Sequence, residues 1–265
     1  MASVTPTLSR HDSPGPEPFA VPHDCLVVML VGLPASGKST LARHIHQFVS
    51  TCTPYTSAIY NAGDIRRQNS SFHTSDFFNP NNLQGRMDRE MYADINLHNL
   101  LHDLRRGATQ VGFLDATNTT IDRRRRMFDT IRASGINPHV VVLDVQCTKP
   151  HLLNFNISGK AHNRDYHDKD YLTAVNDFKV RTRHYHKVYQ PIVRDELAHY
   201  PLAMYVRVCN AGESFDNWSL DDSFKKTHFY LMLMHFESNY YNTEGKRYFE
   251  AVEAFYKNST AGIAG

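Results

Sequence analysis

The sequence has 265 residues, with 29 Lys and Arg against 27 Asp and Glu, for a formal net charge of +2. At 41% hydrophobic and 11% aromatic it can fill the core of one large domain or two small ones, and it does not read as a disordered chain. No apolar run reaches the ~18–20 residues of a membrane span, and the near-neutral charge argues against a surface given over to nucleic acid or anionic lipid.

Residues 1–22 are rich in Pro, Ser and Thr, lack an apolar leader core and read as a disordered tail. Thr5-Pro6 and Ser13-Pro14 have the form of phosphorylation sites, although an unmodified solubilising tail is the simpler reading. Cys25, Cys52, Cys147 and Cys209 are far apart with no CxxC pair, so reduced thiols in the cytoplasm are expected. Leu26–Val31 predicts a short strand ending in glycine, and 39–49 a helix with Leu41, Ile45 and Phe48-Val49 on one face. A strand over 57–60 precedes a long helix over 83–104 that carries Met87, Met91, Ile95 and Leu101. Strands over 111–114 and 140–145 flank a helix over about 121–134. A helix over 168–188, a strand over 203–208 and a helix over 223–236 follow, and 258–265 reads as a frayed tail. Continuous apolar strands alternating with helices imply a mainly parallel sheet covered on both faces, as one α/β domain over 23–257.

The segment Gly32-Leu33-Pro34-Ala35-Ser36-Gly37-Lys38-Ser39, followed by Thr40, matches G-x-x-x-x-G-K-[ST] between a predicted strand and a predicted helix. Its glycines let backbone amides turn toward a phosphate, and the helix N-terminus adds positive potential. Lys38 is expected to reach the β- and γ-phosphates of ATP, and the Ser39 hydroxyl to ligate Mg²⁺. The fold class that follows is the three-layer α/β fold of the P-loop nucleoside triphosphate hydrolases. A regulatory nucleotide-binding module carries the same loop, so chemistry needs further residues.

Asp115 ends an apolar strand, where an acid either holds the Mg²⁺ shell, accepts a proton from an attacking hydroxyl, or merely caps the next helix. Thr117 and Asn118 follow at the strand edge that binds ligands in open sheets. Of the run Arg123 to Arg126, residues ~100° apart on a helix cannot share one face, so at most one or two aim at a site and the rest are solvated. Arg66 and Arg67 follow a strand at the same edge and offer guanidinium forks for a phosphorylated acceptor.

Taken with GDIRR, FFNP, FLDATNTT, the 160–166 segment and Tyr189-Gln190-Pro191, the phosphate loop resembles the kinase domain of the 6-phosphofructo-2-kinase/fructose-2,6-bisphosphatase family. The resemblance spans about residues 25–236. It implies ATP- and Mg²⁺-dependent phosphorylation of the 2-hydroxyl of fructose 6-phosphate. It further implies sugar contacts from Arg66, Arg89, Thr117, Arg123, Lys160, Arg181 and Tyr185. Asp115 and Cys147 match the family's active-site positions, and Asn156 and Lys160 lie in the segment that bridges ATP to the acceptor. Cys147 reads equally as a small residue closing a strand.

The sequence departs from the family at Ser36, which replaces a loop arginine, and around Ser158-Gly159, where the bridging segment is one residue shorter. Ala211-Gly212-Glu213-Ser214 lacks the family's paired arginines, and no Arg-His-Gly triplet occurs. The chain is therefore expected to make fructose 2,6-bisphosphate without hydrolysing it, either as a kinase-only protein or as a truncated one. A polynucleotide 5′-hydroxyl kinase and an inactive nucleotide-sensing relative are the alternatives. Neither a nucleic-acid nor a membrane partner is expected, and oligomeric state is not legible.

Overall fold

The computed structural model describes residues 24–69 and 74–261, so the N-terminal tail with its two proline-directed steps lies outside the described residues. Strands β1 (Leu26–Val31), β2 (Ser57–Asn61), β3 (Val111–Asp115), β4 (His139–Gln146), β5 (Met204–Cys209) and β6 (Ser214–Ser219) form one sheet in the order β2-β3-β1-β4-β5-β6. The first five are parallel, and β6 returns antiparallel along β5. The helices are α1 (Lys38–Cys52), α2 (Ala62–Asn69), α3 (Leu83–Arg105), α4 (Ile121–Ala133), α5 (Pro150–Lys160), α6 (Tyr171–Val188), α7 (Arg194–Leu197), α8 (His228–Tyr240) and α9 (Lys246–Ala261).

The central strand explains the layering. All six residues of β1 are buried, and they divide by parity. Leu26, Val28 and Leu30 pack with Leu41, Ile45 and Val49 of α1 and with Phe229, Met232 and Phe236 of α8. Val27, Met29 and Val31 pack with Leu97, Leu100 and Leu104 of α3 and with Met127, Phe128 and Ile131 of α4. A strand buried on both faces must be apolar at every position, which is why its sequence is continuous rather than alternating. Truncating Leu30 to alanine would remove ~2–5 kcal/mol of stability.

Helix starts follow local chemistry. Thr120, Asp170 and Thr227 each accept a hydrogen bond from the backbone N–H three residues on, starting α4, α6 and α8. Asp170 explains why the helix expected over 168–188 begins at Tyr171, and Thr227 why that expected over 223–236 begins at His228. Five elements went unread, α2, α5, α7, α9 and β6. Strand β6 has a half-buried, polar-rich pattern, α5 is short, and α9 follows a π turn at Tyr241–Gly245. Helix α9 also runs past residue 257, where a frayed tail was expected to begin. On α3, Met87, Met91 and Ile95 are 64%, 48% and 39% exposed, so this stripe faces away from the core. Among the described residues no helix is long and apolar enough to cross a membrane.

Candidate active site

The parallel strands end together at one sheet edge, and a cleft of about 890 Å³ opens there. The loop between β1 and α1 forms its floor. Gly32 has φ +139, and a Cβ there would stand 2.3 Å from the Val145 carbonyl oxygen, so only glycine fits. Gly37 (φ +100) and Ala35 (φ 62) complete the turn. Unlike α4, α6 and α8, α1 has no side-chain cap among the described residues, and its first turn carries no acid, so its amides and dipole are open to an anion. The loop is braced on both sides. Gly32 N–H donates to the Thr117 carbonyl at 3.0 Å, and Asn156 Nδ2 donates to the Ala35 carbonyl at 2.8 Å.

Lys38 is buried, and its Nζ donates to the Leu33 carbonyl at 2.6 Å and to Ser36 Oγ at 3.4 Å. Burial lowers its pKa to about 8, Asp115 opposing and Lys160 and Arg181 adding to the shift. Asp115 is itself buried, and burial raises its carboxyl despite hydrogen bonds from Ser39 and Asn61 and the charges of Lys38 and Lys160. The Asn61 Nδ2 to Asp115 Oδ2 distance is 2.7 Å. Lys160, at the end of α5, is also lowered by burial, with Asp115 opposing. Two lysines thus flank one carboxylate at the centre of the cleft.

Beyond that centre the lining is basic. Lys38, Arg43, Arg66, Arg67, Arg89, Arg123, Lys160 and Arg181 line the cleft against Asp64 and Asp115. A chain of net charge +2 thus concentrates in one cleft a positive excess larger than its net charge, which suits polyanionic ligands. The arginines are held by a carboxylate and a ring. Asp165 Oδ2 accepts from Arg66 Nη2 at 2.5 Å and from Arg181 Nη1 at 3.3 Å, and Oδ1 lies 3.7 Å from Arg67 Nη1. Burial pushes the Asp165 carboxyl up, but its hydrogen bond to Arg66 and the surrounding arginines outweigh this and hold it below its ordinary value. Phe78 lies 3.8 Å from the Arg181 guanidinium and 5.5 Å from that of Arg66. Among the described residues, Arg66 Nη1 and Arg181 Nε are buried with no protein partner, as donors awaiting an anion would be.

A family model described as 6-phosphofructo-2-kinase matches residues 20–238. The chain belongs to that family. It is 35% identical over 180 residues to 6-phosphofructo-2-kinase 1 of Saccharomyces cerevisiae, covering 66% of this chain and 22% of that protein. A probable 6-phosphofructo-2-kinase of Schizosaccharomyces pombe is 34% identical over 191 residues, covering 71% and 32%. The 6-phosphofructo-2-kinase/fructose-2,6-bisphosphatase 1 of Mus musculus is 28% identical over 211 residues, covering 79% and 44%. The match spans less than half the length of these relatives. Among solved structures, a fungal RNA kinase superposes with a TM-score of 0.47 at 10% identity, covering 84% of this chain and 90% of that one, a level that carries no argument about substrate.

Against the expectations for a 6-phosphofructo-2-kinase family member, Lys38, Ser39, Thr40, Asp115, Thr117, Cys147, Asn156, Lys160, Arg66, Arg89, Arg123, Arg181 and Tyr185 all line the one cleft. Two are differently engaged than a free substrate contact would be. Arg123 is held by both oxygens of Glu90, and Arg89 donates to the Phe77 carbonyl. Burial pushes the Cys147 thiol up to about 11, so it carries no charge at neutral pH. The arginine run needs a correction. Arg124 is 1% exposed, not solvated, because Glu196 grips it at 2.6 and 2.7 Å and it donates to the Asn118 carbonyl at 3.0 Å. Sequence reasoning also passed over Asp165, Asn61 and Phe78, whereas Arg67, expected as a guanidinium fork, does line the cleft. The FFNP motif held a signal for Phe78, and the Asp-Tyr step ending the 160–166 segment held one for Asp165.

The remaining motifs have structural work near the site. Asn118, fully buried at φ 46, donates from Nδ2 to the Leu30 carbonyl at 2.7 Å and ties the β3 edge to β1. Gln190 of the YQP segment donates its N–H to the Thr119 carbonyl and accepts from Ile121 N–H, both at 2.8 Å, closing the start of α4.

Proposed function

We propose that the chain transfers the γ-phosphoryl group of ATP to the 2-hydroxyl of fructose 6-phosphate. The observation that carries this reading is one cleft with two anion-binding ends. An uncapped helix behind a glycine-turned loop lies at one end, and a buried arginine set with unpaired donors lies at the other. Between them stand Lys38, Lys160 and Asp115, the groups such a transfer uses.

The loop amides and Lys38 hold the triphosphate. Lys38 is still largely protonated at pH 7, and anionic phosphates favour that charge. Arg66 and Arg181 grip the sugar's 6-phosphate, with Arg89 and Tyr185 beside them. Asp165 keeps the two forks aimed, so that the 2-hydroxyl is presented in line rather than found by diffusion. Lys160 meets the transferring group where its charge is redistributed. The oxygen donors Ser39 and Asp115 fit a hard cation such as Mg²⁺, which would neutralise charge on the moving phosphoryl group. Asp115 has two jobs open to it. Its hydrogen bond with Ser39 suits a metal shell, and its raised carboxyl suits acceptance of the hydroxyl proton.

The test is ADP release by the purified chain with ATP and Mg²⁺, comparing fructose 6-phosphate, a 5′-hydroxyl oligonucleotide and no acceptor. Release that depends on the sugar phosphate supports the reading. Release with the oligonucleotide makes the chain a polynucleotide kinase, and release with neither makes it a nucleotide sensor.

A further inference from the structure

The match to the family ends at residue 238, yet the cleft does not. Tyr240 and Tyr248 line it, together with Phe155, Val208 and Ala211, and both tyrosines lie beyond the matched region. The segment that carries Tyr248 is fitted closely to the phosphate loop's supports. Its hydroxyl donates to Asn156 Oδ1 at 3.0 Å, and the same Asn156 donates to the loop carbonyl of Ala35. The Tyr248 ring lies 5.6 Å from Phe155, edge-on, and Phe155 in turn packs 5.4 Å from Phe255 of α9. At the π turn, Glu244 lies 3.6 Å from His44 of α1, and His44 Nδ1 lies 3.3 Å from the Tyr240 hydroxyl. A Cβ on Gly245 would come 2.9 Å from the Ala211 carbonyl oxygen, so the turn is drawn tight against that wall. Single-turn π segments inside helices recur at functional sites.

The lining divides by chemistry. Arginines paired with Asp165 but each keeping a free donor, Arg66 Nη1 and Arg181 Nε among the described residues, suit a phosphate, whereas Phe155 and Tyr248 beside Asn156 suit a flat heteroaromatic ring. A nucleoside triphosphate needs both, with its phosphates on the loop and its base on an apolar wall. We propose that the π turn and α9 form that wall, and that Tyr248 is a specificity-determining side chain packed against the nucleotide base. The inference rests on the nucleotide reading of the loop. It assigns base recognition to a segment outside the family match, with Tyr248 held in place by its bond to Asn156.

Calorimetric titration of the full chain with ATP and with inorganic tripolyphosphate, which has the phosphates but no base, tests it. Tyr248→Ala should weaken ATP ~5- to 100-fold, the range for losing one base–aromatic stack, and leave tripolyphosphate within about twofold. Tyr248→Phe, which keeps the ring, should bind ATP within about threefold of wild type. If Tyr248→Ala does not fold, Tyr248→Leu keeps apolar bulk and carries the same expectation. Wild-type ATP affinity in the alanine or leucine variant overturns the proposal, as does an equal loss of ATP and tripolyphosphate. Failure of the unaltered chain to bind either probe refutes the nucleotide reading itself, and this inference with it.

Discussion

Replacing Lys38 with methionine should stabilise the ligand-free protein while destroying its activity. Lys38 is only 7% exposed, and burial lowers its pKa from 10.5 to about 8. At ~1.36 kcal/mol per pKa unit, holding that charge in the folded state at pH 7 costs about 3 kcal/mol. Methionine keeps most of the stem but forfeits the 2.6 Å hydrogen bond to the Leu33 carbonyl, worth ~1 kcal/mol. The net gain is about 2 kcal/mol, or ~4–8 °C in Tm for a domain of this size. The pH dependence has a definite sign. The folded pKa lies below the unfolded one, so the native state binds fewer protons between pH 8 and 10.5, and the wild-type chain gains stability as pH rises through that window. The variant's advantage should therefore be full at pH 7 and shrink by pH 9.5. Thermal unfolding without ligand at both pH values checks this, alongside turnover, which should fall ~10²- to 10³-fold or more. A variant less stable than wild type at pH 7, or a gap that ignores pH, would refute the reasoning.

Lys160→Ala should depress kcat with little change in sugar KM, whereas Arg181→Ala should raise the KM for fructose 6-phosphate more than it lowers kcat; steady-state kinetics varied in both substrates checks the split. If Arg181→Ala alters only the ATP dependence, the acceptor end of the cleft is misassigned. Asp165→Asn should raise the sugar KM ~10-fold or more by loosening two guanidinium forks, leaving the KM for ATP nearly unchanged. Because the Asp165 carboxyl is held below its ordinary 3.8, its stabilisation is present at neutral pH and lost as pH falls through the lowered value. The wild-type advantage over Asp165→Asn in urea unfolding should accordingly narrow below pH 4. Arg124→Ala should cost ~3–5 kcal/mol by stranding Glu196, with both KM values unchanged in whatever protein remains folded.

What the sequence carried and what it hid divide along physical lines. The strands were legible because β1, β3 and β4 are buried on both faces and read as nearly continuous apolar runs, broken by Asp115, Asp144 and the polar ends of β4. The phosphate loop was legible because left-handed backbone at Gly37 and the approach of Val145 at Gly32 permit few residues. Strand β6 stayed hidden because an edge strand with half-buried positions needs no apolar run. Asp165 is marked locally only by the Asp-Tyr step at 165–166, which says nothing of its role. Its meaning appears only when α2, the turn at Arg164–Tyr166 and α6 bring three arginines to one carboxylate. Arg124 misled for the same reason, since the partner that makes its burial tolerable lies 72 residues further along the chain. Residue type and spacing give a helix its faces, but which face is buried depends on what the rest of the chain supplies. Met87, Met91 and Ile95 on α3 make the same point from the other side, being apolar and exposed.

The most direct test of the central claim is where the phosphate goes. Incubating the chain with ATP, Mg²⁺ and fructose 6-phosphate and resolving the product by phosphorus NMR reports the position of the new ester. The account predicts one new resonance from a phosphate on carbon 2, equal in amount to the ADP formed and abolished by Lys38→Met. A new phosphate on any other carbon, or ADP formed with no phosphorylated sugar, would contradict it.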